Sequence, residues 1–291
     1  MKDFPIPVVG IGVGPGSQPE EDDSLQYMSM PQGMETFRPP ILPEPEEIAA
    51  RAQAHRALRD ALTALDDARR NGGNRSVDLL GLPAEDLQLI NQVLGEGEVS
   101  ALVKSDGDAS HELRVQESVF AGVWRVVRSM DGQVMSDVIE LGPVPQALKA
   151  AARDDVWTQV PRWTGDLPPN VQNAPSLLAE IEDQWRIWRP GQAAHVVNLT
   201  LLPMSTEDIG FLDHHLGTGR VLILSRGYGN CRITNTRMPN CWRVVYYNSQ
   251  DVVILNTVEV VELPEVAQAA KEDLDDSHER LREVLEWVEQ A

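Results

Sequence analysis

The chain has 291 residues and a formal net charge of -20, from 45 acidic and 25 basic side chains. This acidity argues against nonspecific nucleic-acid binding, because the phosphate backbone would be repelled. Two cysteines are too few for a disulfide framework, so a reduced, cytoplasmic protein is expected. No apolar run reaches the roughly 18 residues of a membrane-spanning helix, and no direct membrane insertion is expected.

The first 45 residues form a predicted extended arm, rich in Pro and Gly and acidic at residues 20–23. Its apolar start is interrupted by proline and glycine and lacks the helical region of a signal peptide. The glycines at 10, 12 and 14 do not have the spacing of a dinucleotide fingerprint. The methionines and aromatics of residues 27–37 suit either docking of the arm on its own body or wrapping of a partner.

A helix is predicted to start near Pro45 and to stop at Gly72-Gly73, because apolar residues recur every three or four positions between them. A second helix is predicted from Pro175 to Trp188, in a Trp-rich connection. A third forms the acidic C-terminus, with an apolar stripe that includes Leu281 and Leu285.

Two segments of the chain resemble each other at an offset of 122 residues. Glu85-Asp86-Leu87 aligns with Glu207-Asp208-Ile209, and further on Trp124-Arg125 matches Trp242-Arg243. Each segment reads as a short helix, a Gly-x-Gly turn and several strands. Internal similarity of this kind indicates duplication. We therefore predict an α+β fold of two internally repeated α+β units, with mixed or antiparallel sheets covered by helices.

The predicted domain organisation follows from this repeat. Residues 1–45 are the arm, residues 46–155 hold the first helix and the first repeat, residues 156–191 are the Trp-rich connector, and residues 192–291 hold the second repeat with its terminal helix.

The second copy contains a basic island that the first copy lacks. Residues 214–250 include five arginines, no acidic residue and both cysteines. A fold requirement alone would place such residues in both copies. The asymmetry therefore favours a function in the second copy, although drift at a surface would also produce it.

The cysteines leave several chemistries open. Cys231 and Cys241 are ten residues apart, which is not the spacing of a zinc knuckle, and a site with one histidine has weak support. A disulfide or thiol relay requires that they lie on neighbouring strands. Arg226 and Arg232 would lower the pKa of the Cys231 thiol, but a buried cysteine is the more common situation. No hydrolase, phosphate-loop or metalloprotease motif is present, so no catalytic residue, metal ligand or cofactor is predicted.

Residues 226–233, RGYGNCRI, are followed by Asn240, Trp242, Val244, Tyr246 and Asn248 in alternation, by VILNTVEV at 253–260 and by DSHERLRE at 276–283. These motifs, with GPGSQPEEDD and YMSMPQGMETF in the arm, resemble the HupH/HyaF hydrogenase expression and formation proteins. The resemblance covers essentially the whole chain.

The resemblance implies an accessory factor for a membrane-bound uptake [NiFe]-hydrogenase. Such a factor would assist the iron–sulfur small subunit before its twin-arginine export, alongside a thioredoxin-like accessory protein, and would have no enzymatic activity. The candidate partner-binding residues are Arg226, Gly227, Tyr228, Gly229, Asn230, Cys231, Arg232, Cys241 and Trp242.

Three functional hypotheses follow. The first is a cytoplasmic maturation chaperone that binds the small-subunit precursor. The second is a thiol- or metal-dependent redox enzyme or carrier centred on Cys231 and Cys241. The third is a purely structural assembly adaptor that binds through the Trp-rich connector.

Overall fold

The computed structural model describes residues 51–105, 111–227 and 229–290, and the predicted arm lies outside these ranges. The described residues form six α-helices and ten strands. In chain order they are α1 (Ala52–Asn71), β1 (Arg75–Asp78), α2 (Ala84–Leu94), β2 (Val99–Lys104), β3 (His111–Glu117), β4 (Val123–Met130), β5 (Gln133–Leu141), α3 (Gln146–Asp154), α4 (Ala174–Ile187), β6 (His195–Asn198), α5 (Thr206–Leu216), β7 (Val221–Ser225), β8 (Asn230–Asn235), β9 (Cys241–Tyr247), β10 (Val253–Val260) and α6 (Lys271–Gln290).

The order of elements is the same in both halves of the chain. Helix, strand, helix and four strands run from α1 to β5 and again from α4 to β10. All strand pairs with a defined register in the described chain are antiparallel. The predicted α+β fold with repeated units is therefore confirmed. Within the described part of the chain, no helix combines the length and apolar character needed to cross a membrane.

Contacts divide the chain into two compact units. The six-stranded unit has the strand order β1-β5-β4-β3-β2-β7 and also contains α1, α2 and α6. Its helices cover one sheet face, and the core between them includes Leu58 and Leu65 of α1, Ile90 of α2, Ile139 of β5 and Leu281 of α6. The predicted apolar stripe of the C-terminal helix is thus used inside this unit.

Strands β2 and β7 occupy the same place in the two copies, and they pair with each other. Their antiparallel register runs from Val99 opposite Ser225 to Val103 opposite Val221. At its centre Ala101 lies opposite Ile223, and these two positions differ by the repeat offset of 122. The pairing therefore has a local twofold relation, and it builds a strand of the second copy into the six-stranded unit.

The four-stranded unit has the strand order β8-β9-β10-β6 and contains α4 and α5. Its core lies between these helices and one sheet face. Ile181 of α4, Phe211 and Leu212 of α5, and Val258 and Val260 of β10 are buried there. The Trp-rich connector packs into the same core, because Trp188 is buried in it and the Trp163 ring meets the Phe211 ring edge-on at 5.6 Å.

The repeated Glu-Asp motif has a structural role in both copies. Asp208 Oδ1 accepts the backbone N–H groups of Gln172, Asn173 and Ala174 at 2.8–2.9 Å, at the start of α4. Asp86 likewise accepts the N–H of Ala54 at 2.9 Å, at the start of α1. The first N–H groups of a helix have no partner within the helix, and a carboxylate there also opposes the helix dipole.

Replacing Asp208 with Ala is expected to lower the free energy of unfolding by roughly 2–4 kcal/mol, because buried N–H groups lose their acceptor. Burial alone would raise the pKa of Asp208, but the backbone donors outweigh it and hold the pKa below its usual value. The stabilisation is therefore present above about pH 4 and is lost in stronger acid. Urea unfolding at pH 7 and pH 3 measures both effects. Glu207→Ala, which keeps the Asp208 bonds, is the control, and equal losses for the two variants would contradict the assignment.

A second test concerns Glu117, a buried carboxyl at the end of β3. Burial raises its pKa to about 7, and the neighbouring carboxylates of Glu98 and Asp273 add to this, against hydrogen bonds from the Gly122 and Val99 backbone. The equivalent position in the second copy is the neutral Asn235, since Glu117 lies opposite Trp124 and Asn235 opposite Trp242.

Because the folded pKa is raised, ionisation of Glu117 costs stability as the pH rises from about 4.5 to 7. Glu117→Gln is expected to remove this loss, so its advantage over the wild type should grow over that interval by roughly 2–3 kcal/mol. Unfolding free energies at several pH values between 5 and 8 measure it. The exposed Glu96→Gln serves as control, and parallel pH profiles for Glu117→Gln and the wild type would refute the assignment.

Candidate functional site

The predicted site residues lie in the turn between β7 and β8, in β8 and at the start of β9. Contacts assign Arg226 and Gly227 to the six-stranded unit and the residues from Gly229 onward to the four-stranded unit. Tyr228 lies outside the described residues. The site is therefore described in two parts.

The part in the six-stranded unit is a close approach of backbone to a carboxylate. The N–H of Arg226 donates to the carbonyl oxygen of Glu98 at 3.1 Å, and the Arg226 side chain is exposed. A Cβ atom on Gly227 would lie 1.9 Å from Oε2 of Glu98. Because Oε2 is the end of an exposed, flexible side chain, a small shift of Glu98 would make room for a larger residue. Gly229, on the other side of the turn, has a φ of +100°, which favours glycine.

Cys231 is buried in the interior of β8 and is a neutral thiol. It lies directly opposite Tyr246 of β9 and shares a side-chain hydrogen bond with it. Burial raises the pKa of the thiol to about 12, although the Tyr246 bond acts in the other direction. The neighbouring Arg232 is exposed, on the opposite face of the strand. The hypothesis that arginines lower this pKa is therefore wrong, because the sheet separates the guanidinium from the sulfur.

Cys241 is buried on the other face of the sheet. Cys231 lies opposite Tyr246, and Cys241 precedes Tyr246 by five residues on β9. Since successive side chains alternate between faces, an odd spacing places the two cysteines on opposite faces, and five residues separate them by about 17 Å along the strand. This distance allows neither a disulfide nor a shared metal ion. Burial also raises the pKa of the Cys241 thiol to about 12.

No group of three or more histidine, cysteine or acidic side chains among the described residues is arranged to hold a metal ion. His214 and His215 follow each other on α5. The His215 ring is buried against Phe211, with the ring centroids 4.2 Å apart, and its Nδ1 lies 2.8 Å from the Phe211 carbonyl oxygen. Burial lowers the pKa of His215, so this histidine is a neutral part of the core.

Trp242 belongs to the scaffold of its copy. It is fully buried, and its Nε1 donates to the carbonyl oxygen of Glu262 at 3.1 Å. Trp124, its counterpart in the first copy, is equally buried and donates to the carbonyl oxygen of Gly142 at 2.9 Å. Of the nine predicted site residues, the described side chains that reach solvent most freely are those of Arg226 and Arg232.

A partly buried arginine network distinguishes the two copies, and sequence reasoning missed it. Arg125 forms a two-bonded ion pair with Asp137 on β5, and its Nη1 donates to Asn91 Oδ1 on α2 at 2.9 Å. In the second copy, the strand position equivalent to Asp137 is Asn256, because each lies two residues before the residue opposite the arginine.

The acid in the second copy stands on the helix instead. Arg243 Nη1 lies 3.2 Å from Asp213 Oδ1, and Asp213 aligns with Asn91 at the repeat offset. Acid and amide have thus exchanged places between strand and helix. The exchange conserves net charge. Among the described residues, however, the buried atoms Arg243 Nη1 and Asn256 Oδ1 make no hydrogen bond, and Arg243 Nη1 has only its ion pair with Asp213. The repeat alignment already pairs Asn91 with Asp213. The strand register is needed to pair Asp137 with Asn256 and so to recognise the exchange.

Both thiols are expected to be unreactive in the folded protein, because the nucleophilic thiolate is scarce when the pKa is about 12. Labelling with a thiol-specific disulfide reagent at pH 8 measures this. The native chain should react over hours and the denatured chain within minutes, with both of its free cysteines. Rapid reaction of one native thiol, assigned with Cys231→Ala and Cys241→Ala, would show that a cysteine is accessible.

Comparison with known proteins places these features in a family context. The model of the HupH hydrogenase expression protein, C-terminal conserved region, matches residues 52–162 and 171–288. These segments run from α1 through α3 and from α4 into α6, so they coincide with the two copies.

Full-length relatives are also found. The hydrogenase expression/formation protein HoxQ of Cupriavidus necator is 56% identical over 288 residues, covering 99% of each chain. HupH of Rhodobacter capsulatus, with the same description, is 47% identical over 291 residues and 99% of each chain. The hydrogenase-1 operon protein HyaF of Escherichia coli is 33% identical over 283 residues and 96% of each chain.

Proposed function

The chain belongs to the family of HupH hydrogenase expression proteins, and from this premise we propose that it is a cytoplasmic, non-catalytic maturation chaperone of an uptake [NiFe]-hydrogenase. It binds the immature iron–sulfur small subunit before twin-arginine export, together with a thioredoxin-like accessory protein. The observation that carries the proposal is similarity along the full chain to proteins described as hydrogenase expression/formation proteins.

The geometry of the cysteines supports binding over redox chemistry. A thiol carrier needs an accessible thiolate or a pair of cysteines close enough to bridge. Cys231 and Cys241 are buried, have raised pKa values and point to opposite sheet faces. These properties count against the hypothesis of a thiol- or metal-dependent enzyme.

The packing of the connector counts against a purely structural adaptor that binds through tryptophans. Trp188 is buried in the core of the four-stranded unit, and Trp163 and Trp185 pack against that core. A Cβ atom on Gly217 would lie 2.7 Å from the Trp157 ring. The tryptophans of the connector thus pack within their own unit, as expected of a connecting segment that docks on its domain.

The C-terminal helix supports an electrostatic contribution to precursor binding. The face of α6 opposite its buried leucines carries exposed carboxylates at spacings of three and four residues, namely Glu272, Asp276, Glu279, Glu283 and Glu286. Such a row of negative charge attracts the basic start of a twin-arginine signal. The acidic arm, residues 1–45, would add to it.

Co-purification tests the proposal. The tagged chain, expressed with the hydrogenase operon, is expected to capture the small-subunit precursor, and a precursor without its signal peptide should be captured several-fold less. The difference should shrink at high salt, because exposed charges are screened. No capture of the precursor would overturn the proposal, whereas equal capture of both forms would remove only the electrostatic part. Cys231→Ala, which removes the buried thiol, should leave hydrogenase maturation unchanged.

A further inference from the structure

Strand β6 is the outer strand of the four-stranded unit. It pairs with β10 on one side, from His195 opposite Val260 to Asn198 opposite Thr257. No other described strand pairs with its second side. The short 3-10 turn that follows β6 also runs along β10, since Thr200 Oγ1 accepts the N–H of Asn256 on β10 at 2.8 Å. The chain from His195 to Leu201 therefore forms one edge of this sheet.

Two apolar side chains of this edge are exposed, among polar and buried neighbours. Val197 points into the core under α4 and α5, so its neighbour Val196 points to the opposite face, where it is 50% exposed. Leu201, in the turn, is 81% exposed, and Ile254, on the adjoining part of β10, is 56% exposed. An unpaired row of N–H and C=O groups beside apolar side chains is a template for an added strand.

The first copy provides an internal comparison. Strand β1 is the equivalent outer strand of the six-stranded unit, because Val77 lies opposite Ile139 as Val197 lies opposite Val258. The residues Arg75, Ser76 and Asp78 of β1 thus correspond to His195, Val196 and Asn198 of β6.

Charged side chains are the usual protection of a sheet edge against strand addition. Strand β1 has two: Arg75, which pairs with Asp67, and Asp78, which caps the N–H of Leu80 at 3.0 Å. Strand β6 has neither, and its only titratable side chain, His195, is paired with Glu180 at 2.8 Å. The equivalent outer strands of the two copies thus differ in charge: β1 has two charged side chains that protect its edge, and β6 has neither.

We propose that the β6 edge binds an extended, uncharged apolar segment of a partner protein by strand addition, with basic residues flanking that segment. Backbone hydrogen bonds to β6 supply affinity, and Val196 and Leu201 contact the apolar side chains. The choice of occupant follows from charge: a second copy of this chain would bring -20 against -20, whereas basic flanks are attracted. Identifying the partner as the small-subunit precursor rests on the proposed function; the strand addition itself does not.

A peptide probe tests the edge directly. The probe is a fluorescein-labelled peptide of about twelve residues, with two N-terminal arginines before an alternating Val-Thr segment. Fluorescence anisotropy with the purified full chain should give saturable binding with a Kd on the order of 10–100 µM. Val196→Lys should weaken binding at least about tenfold, because a charge is placed at the edge, whereas Ser76→Lys at the matched β1 position should change it less than about twofold.

Several outcomes would overturn the proposal. The first is the absence of saturable peptide binding by the wild type, and the second is equal weakening of binding by both lysine variants. The third is a wild type that binds no peptide but dimerises with increasing concentration, with the dimer lost in Val196→Lys; this result would assign the edge to a second copy. Both substitutions are on side chains at the surface, and circular dichroism verifies folding. Leu201→Asp, outside the strand, supplies a second variant and should also weaken peptide binding.

Precursor capture by the same variants separates this inference from the proposed function. Loss of both peptide and precursor with Val196→Lys, and of neither with Ser76→Lys, is the expected result. If the wild type binds the peptide but captures no precursor, the proposed function fails and the edge stands. If Val196→Lys loses the peptide but captures the precursor as the wild type does, the proposed function stands and the assignment of the precursor to this edge is overturned.

Discussion

The antiparallel pairing of β2 with β7 is the constraint on which the rest of the structure depends. These strands hold the same place in the two copies, and Ala101 meets Ile223 at the centre of the pair. A sheet edge with unpaired backbone groups is costly to leave open, and pairing like with like closes two such edges at once. The consequence is that β7 belongs to the six-stranded unit although its sequence neighbours β8 and β9 do not.

Duplication has left a common scaffold with different details in each copy. Buried aspartates hold helix starts in both, and buried tryptophans donate to the carbonyl oxygens that follow the last strand. The arginine networks show how the copies diverged: acid and amide exchanged places, so the net charge persisted while the hydrogen bonds changed. The outer strands differ further, since β1 has the charged residues Arg75 and Asp78 where β6 has His195 and Asn198.

These differences change where function is expected in the second copy. The basic island suggested a site around Cys231, but its cysteines and Trp242 are interior, and Gly229 has a positive φ that favours glycine. Among the described side chains there, those of Arg226 and Arg232 reach solvent most freely. The β6 edge has the opposite character, because Val196 and Leu201 are apolar and exposed there, whereas the equivalent strand β1 carries Arg75 and Asp78. The proposed chaperone role would use such a surface to bind an extended apolar segment.

The sequence by itself determined the duplication, the family, the α+β class and the helices, because periodicity and motif spacing are local properties of the chain. It also identified the repeated aspartates and tryptophans, without their roles. Only the tertiary structure decided that the two cysteines lie on opposite faces, that β7 joins the first copy's sheet and that Asn256 stands where Asp137 does. It also decided that Val196 lies on an outer strand whose second side pairs with no described strand. Each depends on strand register and order, which arise from contacts between residues distant in sequence and leave no periodic signal in the chain.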